Sequence, residues 1–546
     1  MSTTVADHIL TRLREWGVTH VFGHAGEGIN GLLTAWPKAG NDPRLVRARH
    51  EESCAFQAVG YAKFSGLTGV CTATSGPGAI HLLGGMYDAK LDHVPLVTIV
   101  GHADRGATGG PYRRDVDLHA LFKDVAADFL ETVSVPDRLP DVLDRAIRTA
   151  NGRRCPAVVI VPAELQFADY APSAREFTMD VVGVGTEQWA PMPDSDALEH
   201  AAEVLNSGRK VAILVGQGAA GARAEVEQVA DVLAAGVAKA LLGKDVLSDE
   251  LPCVSGLIGM LGTRSAYELM RGCDTLLTVG SDFPYTRYLP TFGRARGVQI
   301  DIDPHTVGMG YPYEVNLVGD ARITLLRLLP KLRRKADRRW QEQVIADAER
   351  WQSEMEQRAG LPTEAINPEL VARALDPLLP EDAVITCDPG PVATWYARHL
   401  RMRGTMRASL SGTLASTGSG VPYAIGAKFA CPHRPAIALV GEEAMQMSGL
   451  AELITAAQYR DAWKDPRLVI GVWNERSPCR TAPEVGKAPD VSYAAFAASL
   501  GLTGIRVTEA DEVAGAWRRA LDADGPAVVE FLTDGLISMV PAGPAM

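Results

Sequence analysis

The sequence predicts three doubly wound α/β domains, each a parallel sheet covered by helices on both faces. Three observations lead to this prediction. The chain of 546 residues is long enough for about three domains. Short apolar runs of the kind that form buried strands recur along it, separated by segments with helical periodicity. Several of these runs end in glycine-rich turns, as strands do when a helix follows closely in a parallel sheet.

Composition and charge exclude several classes of protein. Hydrophobic residues make up 47% of the chain and charged residues 22%, which suits large buried cores and argues against disorder. The formal net charge is −12, so we expect no broad basic face. A nucleic-acid partner or an anionic membrane partner is therefore not expected.

The cysteines and the N-terminus favour a cytoplasmic protein. The eight cysteines are scattered, without a CxxC pair or zinc spacing, which predicts free thiols in a reducing compartment. The N-terminal segment lacks the basic and apolar regions of a signal peptide. No apolar run reaches the roughly 18 residues that a membrane span needs.

The first domain is predicted over residues 1–180. Apolar runs predict its strands at residues 18–22, 69–74, 95–101 and 157–162. Residues 166–195 are polar, contain proline and lack periodicity, which predicts a linker.

The central domain is predicted over residues 190–335. Its strands are predicted at residues 210–215, 275–280 and 297–302, with a glycine-rich turn at 216–221 before a helix at 222–235. The charged segment 331–358 has helical periodicity, and we expect it to cross to the next domain.

The third domain is predicted over residues 360–546. Its strands are predicted at residues 383–387, 436–440, 468–472 and 526–531. Its layout is similar to that of the first domain, which suggests one ancestral fold used twice.

The segment Arg49-His50-Glu51-Glu52 is the strongest candidate for chemistry in the first domain. It stands at the start of a predicted helix, and an acid buried there is costly unless it has a role. The alternative is a first-turn carboxylate that the helix dipole favours.

Ordered motifs in all three domains resemble those of one family. They are RHEE, GYAKF, TSGPGAIHLL and YDAKLDHVPLVTIVG in the first domain, SGLIGMLG, GSDFPY and QIDIDP in the central domain, and SLSGTLAS, VPYAIGAKFA and AMQMSGLAELITAAQY in the third. With these motifs the chain resembles the pyruvate oxidase and acetolactate synthase group of the thiamine-diphosphate enzymes. The resemblance implies thiamine diphosphate, Mg²⁺ and FAD as cofactors. It also implies a homodimer or homotetramer, with the active site between the first domain of one subunit and the third domain of its neighbour.

Two positions of the family's thiamine site are matched. The resemblance implies that Glu51 hydrogen-bonds the aminopyrimidine ring and so promotes removal of the thiazolium proton. We expect burial to raise the pKa of this carboxyl toward neutrality. In the third domain, Leu414 matches the bulky apolar residue that bends the cofactor, with Gly412 and Thr413 before it. A core leucine is the alternative for Leu414.

The metal–diphosphate motif departs from the family pattern. That pattern is Gly-Asp-Gly after one strand and Asn-Asn after the next, with a backbone carbonyl two residues later completing the Mg²⁺ site. Here Gly441 is kept, but Glu442 and Glu443 replace Asp and Gly. In the second half Asn474 is kept, Glu475 replaces the second Asn, and Ser477 supplies the carbonyl position.

These replacements predict weak or absent thiamine diphosphate binding. Each carboxylate added about 5 Å from a phosphate would cost about 3 kcal/mol at an effective dielectric constant of about 20. Glu442 still offers a hard oxygen donor to a cation, although its extra methylene displaces the ion.

A second departure lies in the substrate loop. Arg113 and Arg114 align with Phe-Gln, which faces the thiazolium in pyruvate oxidases. Two guanidiniums can bind a small anionic substrate bidentately. Alternatively they neutralise Glu443 and Glu475 across the subunit interface, or the loop is simply solvated.

The resemblance also assigns a candidate FAD site to the central domain. The candidate residues lie at predicted strand ends, where the backbone can approach a ligand closely: Gly256, Leu257, Ile258, Gly280, Ser281, Asp282, Phe283, Pro284, Ile300, Asp301 and Asp320. The alternative is a central fold retained without a flavin.

Three functions remain open at this stage. The first is an FAD-dependent oxidoreductase that acts on a small anionic substrate and has lost ordinary thiamine chemistry. The second is an enzyme that uses thiamine diphosphate and FAD for oxidative decarboxylation or carboligation of a 2-oxo acid. The third is a non-catalytic paralogue.

Overall fold

The computed structural model describes residues 3–107, 109, 113–170, 191–475, 490–537, 539 and 543. Within them the chain forms three parallel sheets of six strands each, which confirms the predicted fold class. We call the units built around these sheets the first, central and third domains. No helix in the described part of the chain combines the length and apolar character needed to cross a bilayer.

The first domain has the strand order β2-β1-β3-β4-β6-β5. Its strands are β1 His20–Gly23, β2 Arg44–Arg47, β3 Gly69–Ala73, β4 Leu96–His102, β5 Leu130–Thr132 and β6 Pro156–Pro162. Its helices are α1 Val5–Glu15, α2 Asn30–Lys38, α3 Glu51–Ser65, α4 Pro77–His81, α5 Leu83–Leu91, α6 Leu118–Phe122, α7 Leu139–Arg153 and α8 Ala163–Phe167. Helix α8 ends at Phe167, two residues into the predicted linker.

The central domain has the order β12-β11-β10-β7-β8-β9, which is the usual order of dinucleotide-binding sheets. Its strands are β7 Val211–Val215, β8 Gly236–Lys239, β9 Val254–Leu257, β10 Thr275–Val279, β11 Arg296–Asp301 and β12 Val315–Val318. Its helices are α9 Ser195–Ser207, α10 Arg223–Val232, α11 Arg264–Gly272 and α12 Ala321–Leu328. The charged helix that follows, α13 Arg339–Ala359, begins eight residues later than the sequence predicts.

The third domain has the order β14-β13-β15-β16-β18-β17, the same pattern as the first. Its strands are β13 Val384–Cys387, β14 Arg407–Leu410, β15 Ala436–Gly441, β16 Leu468–Asn474, β17 Thr503–Val507 and β18 Ala527–Leu532. Its helices are α14 Pro368–Leu375, α15 Pro391–His399, α16 Gly420–Ala430, α17 Glu442–Ala444, α18 Leu450–Tyr459, α19 Tyr493–Ser499 and α20 Val513–Leu521.

The first and third domains pack through α3 and α16, and one apolar cluster continues across this contact. Glycines let the two helix backbones approach closely. A Cβ on Gly60 would lie 2.6 Å from the carbonyl oxygen of Tyr423, and a Cβ on Gly426 would overlap the backbone of Gln57. The contact between α3 and α16 therefore has no room for a larger side chain at either glycine. It fixes how the sheet edges of the two domains lie relative to each other.

Buried polar side chains add to the same interface. Asp88, on α5, accepts hydrogen bonds from Ser411 and from the Tyr423 hydroxyl. Lys63 forms an ion pair with Asp92 at 2.6 Å within the first domain, and it also donates to the Leu410 carbonyl of the third domain at 2.7 Å. Because buried charges are costly unless paired, these contacts fix how the two domains meet.

Candidate functional site

Glu51 lies at the N-terminus of α3, beside a glycine-rich turn. Its Oε2 is 3.0 Å from Nδ1 of His81, at the end of α4. His50 is the N-cap of α3, and its ring stacks on that of His81 with centroids 4.5 Å apart. A Cβ on Gly78 would lie 3.2 Å from Glu51 Oε1, so the turn passes close to the carboxylate.

The expected rise in the pKa of Glu51 is wrong. Burial raises this pKa, but the hydrogen bond from His81, the backbone N–H at the helix start and nearby His24 together lower it below the usual range. The sequence reasoning weighed burial and overlooked the imidazoles. In this chain Glu51 is therefore a carboxylate at neutral pH.

Arg114 lies against the same turn. Its Cβ would be 2.7 Å from a Cβ on Gly76, and its backbone has a positive φ of 64°. Its guanidinium donates to Glu27 at 2.9 Å. Arg113 is exposed. The structure thus brings Arg114 to the Glu51 side of the sheet edge and gives it a carboxylate partner within the first domain.

The altered motif lies at the carboxyl edge of the third sheet. β15 ends at Gly441, where an added Cβ would meet open space, and Glu442 and Glu443 form the start of α17. Glu443 is exposed, whereas Glu442 is half-buried and its carbonyl accepts from Tyr493 at 3.4 Å. Glu475 follows β16 on the neighbouring strand. Ser477 lies outside the described residues.

Asn474 is buried and its amide is held in place. It donates to Glu530 at 2.8 Å, and Glu530 also accepts from Ser492 and from the backbone of Ala494. The Glu475 side chain lies close to Gly535: a Cβ added to this glycine would be 3.1 Å from Glu475 Oε2. The edge between β15 and β16 therefore carries three carboxylates where the family pattern has one.

Asp388 is a feature of this edge that the sequence reasoning missed. It follows β13, is buried, and accepts backbone N–H groups from Gly418 and Gly420 at 2.9 Å. Burial raises its pKa to about 7 despite these bonds. The Asp-Pro-Gly after a predicted strand was the signal that could have found it, and a Cβ on Gly390 would again meet open space.

The loop after β14 contains Gly412, Thr413 and Leu414. The N–H groups of Gly412 and Thr413 donate to Asp92 at 3.0 and 2.9 Å. Leu414 is half-buried, and Ala415 after it has a positive φ of 56°. The first domain of the same chain thus sets the shape of this loop.

The predicted FAD residues lie along the carboxyl edge of the central sheet. Gly256, Leu257 and Ile258 end β9 and begin the next loop, and Leu257 and Ile258 are buried. Gly256 has a φ of 102°, and a Cβ there would lie 2.6 Å from Thr263. This glycine is therefore required by the fold itself.

The strands β10 and β11 supply the other predicted residues. Gly280, with a φ of 60°, packs on the backbone of Gly218 and leads into Ser281, Asp282, Phe283 and Pro284. Ile300 is buried within β11, and burial raises the pKa of Asp301 at its end. Asp320 caps α12 by accepting the N–H of Ile323 at 2.9 Å.

Large apolar side chains are exposed around this central edge. They follow the ends of β9, β10 and β11: Met260 is 46% exposed, Tyr285 57%, Ile302 42% and Met309 81%. Met260, Tyr285 and Ile302 lie within the motifs SGLIGMLG, GSDFPY and QIDIDP, but the sequence analysis did not single them out as site residues. Such a group of exposed apolar side chains beyond the carboxyl ends of a doubly wound sheet is typical of a ligand site.

The donor chemistry of the two edges differs. The central edge offers apolar faces and close backbone turns, which fit a flat aromatic ligand. At the third edge the space above Gly390 and Gly441 fits a ligand, and the buried hydroxyls of Ser419 and Thr533 have no hydrogen-bond partner among the described residues. Glu442, Glu443 and Glu475 bring three carboxylates to this edge, which is unfavourable for a diphosphate unless cations offset their charge.

Comparisons with known proteins cover all three domains. Family models described as the thiamine pyrophosphate enzyme N-terminal TPP binding domain, central domain and C-terminal TPP binding domain match residues 3–126, 198–328 and 388–531. The Bacillus subtilis protein YdaP, named as thiamine pyrophosphate-containing, is 36% identical over 97% of this chain and 92% of its own length.

Two further relatives carry enzyme names. Acetolactate synthase isozyme 2 large subunit of Escherichia coli is 30% identical over 99% of this chain and 97% of its own. Pyruvate oxidase of Lactiplantibacillus plantarum is 28% identical over 83% of this chain and 74% of its own. The chain therefore belongs to the thiamine pyrophosphate enzyme family, in the group that includes pyruvate oxidase and acetolactate synthase.

Proposed function

We propose that this protein is an FAD-dependent oxidoreductase that acts on a small anionic substrate and binds thiamine diphosphate weakly. The observation that carries the flavin proposal is the group of exposed apolar side chains at the central sheet edge. Water contact at Tyr285, Ile302 and Met309 is unfavourable, and a flat ring system covering them would remove it. The central sheet also has the strand order of dinucleotide-binding domains.

The weak thiamine binding follows from the third edge. Glu443 is exposed at the position where the family has glycine, so it adds a charge to the turn that would hold a diphosphate. Glu475 adds a second charge from the next strand. The substrate is proposed to be anionic because Arg113 and Arg114 lie on the first-domain loop beside Glu51.

One observation favours a second candidate, an enzyme that uses both thiamine diphosphate and FAD. Glu51 is ionised and held by His81, which is the state needed to accept a hydrogen bond from a protonated ring nitrogen. In that case a cation bound by Glu442 would have to offset the added charges. The two candidates differ in thiamine diphosphate affinity and agree on the flavin.

The flavin proposal is tested by absorbance of the purified full chain, alone and after incubation with FAD. The variants Ile302→Glu and Tyr285→Glu place a charge on exposed side chains at the proposed site, and Leu326→Glu, on α12 and 48% exposed, is the matched control. We expect the wild type and the control to hold flavin and the two site variants to lose it.

Two results would contradict the flavin proposal. One is a wild type that neither retains nor takes up FAD. The other is equal retention in all four proteins. Gly256 is unsuitable for this test, because a side chain there would strain the fold whether or not flavin binds.

A further inference from the structure

His50, Glu51 and His81 form a compact set of possible metal ligands at the edge of the first sheet. One ligand atom from each lies within 4.8 Å of the others. The Glu51 side chain is 12% exposed and the His81 side chain 40%, so the group is open to solvent on one side. Helices α3 and α4 hold two of the three residues.

We propose that these three residues bind a transition-metal dication such as Zn²⁺. Two imidazoles and one carboxylate are the ligands of many three-ligand zinc sites, which keep a fourth position for water or a substrate oxygen. Imidazole nitrogen favours Zn²⁺, Co²⁺, Ni²⁺ and Cu²⁺ over Mg²⁺. The ligand chemistry therefore differs from the oxygen-only set at the third sheet edge.

The geometry needs little change for binding. Tetrahedral Zn²⁺ with bonds of about 2.1 Å separates its ligands by roughly 3.4 Å. His81 Nδ1 and Glu51 Oε2 are already 3.0 Å apart. His50 is exposed, and the bond that it accepts from the N–H of Glu52 is long, at 3.3 Å, so its ring can turn toward the ion at the expense of that bond and of its stacking on His81.

The mixed chemistry of the group also favours a cation. The carboxylate oxygen of Glu51 lies beside the imidazole rings of His50 and His81, so an ion there can have both oxygen and nitrogen ligands. In the metal-free state the His81–Glu51 hydrogen bond uses the His81 Nδ1 proton. A metal at Nδ1 replaces that proton, which moves to the other ring nitrogen or to solvent.

This inference goes beyond the proposed function and does not depend on it. Glu51 is also the residue that the resemblance assigns to the aminopyrimidine of thiamine diphosphate. A metal on Glu51 would occupy the same carboxylate, so the two ligands should compete. Flavin binding in the central domain is a separate measurement, and its failure would leave the metal site untouched.

The test uses the full chain after treatment with EDTA. Zn²⁺ binding is measured by calorimetry, and Co²⁺ binding by its visible spectrum. His50→Asn keeps a helix-capping side chain, and His81→Gln keeps a hydrogen bond to Glu51. His305→Ala removes a 90% exposed histidine that pairs with Asp303 in the central domain, and it is the matched control.

We expect micromolar or tighter binding to the wild type and to the His305→Ala control. Each site variant should bind at least about tenfold more weakly. The Co²⁺ spectrum should lack the strong thiolate band that binding to a cysteine would produce. Excess Mg²⁺ should not displace the ion.

Several outcomes would overturn the proposal. The first is a wild-type dissociation constant above about 100 μM. The second is equal affinity in the site variants and the control, and the third is a thiolate band that accounts for all bound Co²⁺. If either site variant melts at a clearly lower temperature, Glu51→Gln provides the deciding measurement, because it keeps the volume and removes the ligand charge.

Discussion

The first and third domains share one strand order and pack against each other through equivalent helices. The pKa of a carboxyl group at the sheet edge is nevertheless shifted in opposite directions in the two domains. In the first domain Glu51 is paired with His81, and its pKa is lowered. In the third domain the hydrogen bonds that Asp388 accepts from described residues come from neutral backbone N–H groups, and burial raises its pKa to about 7. The same fold therefore carries one carboxyl group with a lowered pKa and one with a raised pKa, because the neighbouring groups decide which protonation state is favoured.

The comparison also explains which edge suits which ligand. The first edge combines carboxylates with the imidazoles of His50 and His81 and the guanidinium of Arg114. The third edge adds Glu443 and Glu475 to a turn where the family has glycine and asparagine. On these grounds we propose a cation at the first edge and weak diphosphate binding at the third.

The largest expected effect is on thiamine diphosphate affinity. The triple variant Glu442→Asp, Glu443→Gly, Glu475→Asn restores the family pattern and removes two charges. We expect its affinity for the cofactor with Mg²⁺ to rise by at least about 100-fold, because each removed charge is worth up to about 3 kcal/mol. Calorimetry on the full chain measures the change.

A charge-matched control separates the local effect from net charge. Glu342→Gln with Glu349→Gln removes two exposed charges from α13. If this control gains as much affinity as the triple variant, or if the wild type already binds at micromolar concentration, the electrostatic explanation is wrong.

The second effect concerns pH. The folded chain holds a proton on Asp388 between its ordinary pKa of 3.8 and about 7, where the unfolded chain has released it. Stability should therefore fall as pH rises through this interval, by as much as about 4 kcal/mol. Asp388→Asn should flatten this dependence in melting temperatures taken from pH 4.5 to 7.5.

Glu51 should act in the opposite direction. Its folded pKa is lowered, so its contribution is present above the unfolded pKa and is lost as pH falls through the folded pKa. Glu51→Gln should therefore reduce the loss of melting temperature in acid. Equal pH profiles for the two variants would contradict the contrast drawn between the domains.

The third effect tests the contact that joins the two domains. In Gly60→Ala the new Cβ would lie 2.6 Å from the Tyr423 carbonyl, which belongs to rigid helix backbone. We expect a loss of about 3 kcal/mol in the free energy of unfolding, measured with denaturant.

Gly515→Ala is the matched control for this contact. Gly515 lies in α20, where an added Cβ meets nothing within 4 Å, so alanine should be neutral or slightly stabilising. Similar stability for the two variants would mean that the helices can move apart without cost.

The smallest effect is expected at Arg114. Its ion pair with Glu27 is exposed, with 37% and 81% of the two side chains accessible. Arg114→Ala should change the free energy of unfolding by less than about 1 kcal/mol. The same variant should weaken binding of a small carboxylate ligand if the arginine binds substrate. A large drop in melting temperature, coupled to Glu475→Gln, would assign it a structural role instead.

Much of the fold could be predicted because interior strands are continuous apolar runs. Each strand predicted from such a run is present among the described residues. The strands for which no range was predicted lie mostly at sheet edges: β2, β5, β9, β12, β14 and β17, with β8 the interior exception. Of these, β9 and β12 were expected only as strand ends next to the candidate FAD residues. Edge strands are short and partly exposed, as in β2 and β5, so they lack the apolar signal.

The candidate site was less predictable, because its properties arise from contacts between distant segments. The sequence indicated Glu51, but nothing in its spacing showed that His81 would lower its pKa. Asp320 was predicted to contact FAD, whereas in the structure its side chain caps the N-terminus of α12. The exposed apolar side chains of the central edge come from three loops, and no local pattern marks them as neighbours.

The hydrogen bonds from Gly412 and Thr413 to Asp92 have a consequence for how the chain is made. During synthesis the first domain emerges long before the loop after β14, and domains generally fold in that order. Helix α5 is then already folded when the loop appears. The Asp92 carboxylate can accept the N–H groups of the loop, and Lys63 can donate to the carbonyl of Leu410 just before it. A third domain produced alone would lack this surface, so its loop would leave the ribosome without the partners that give it its shape.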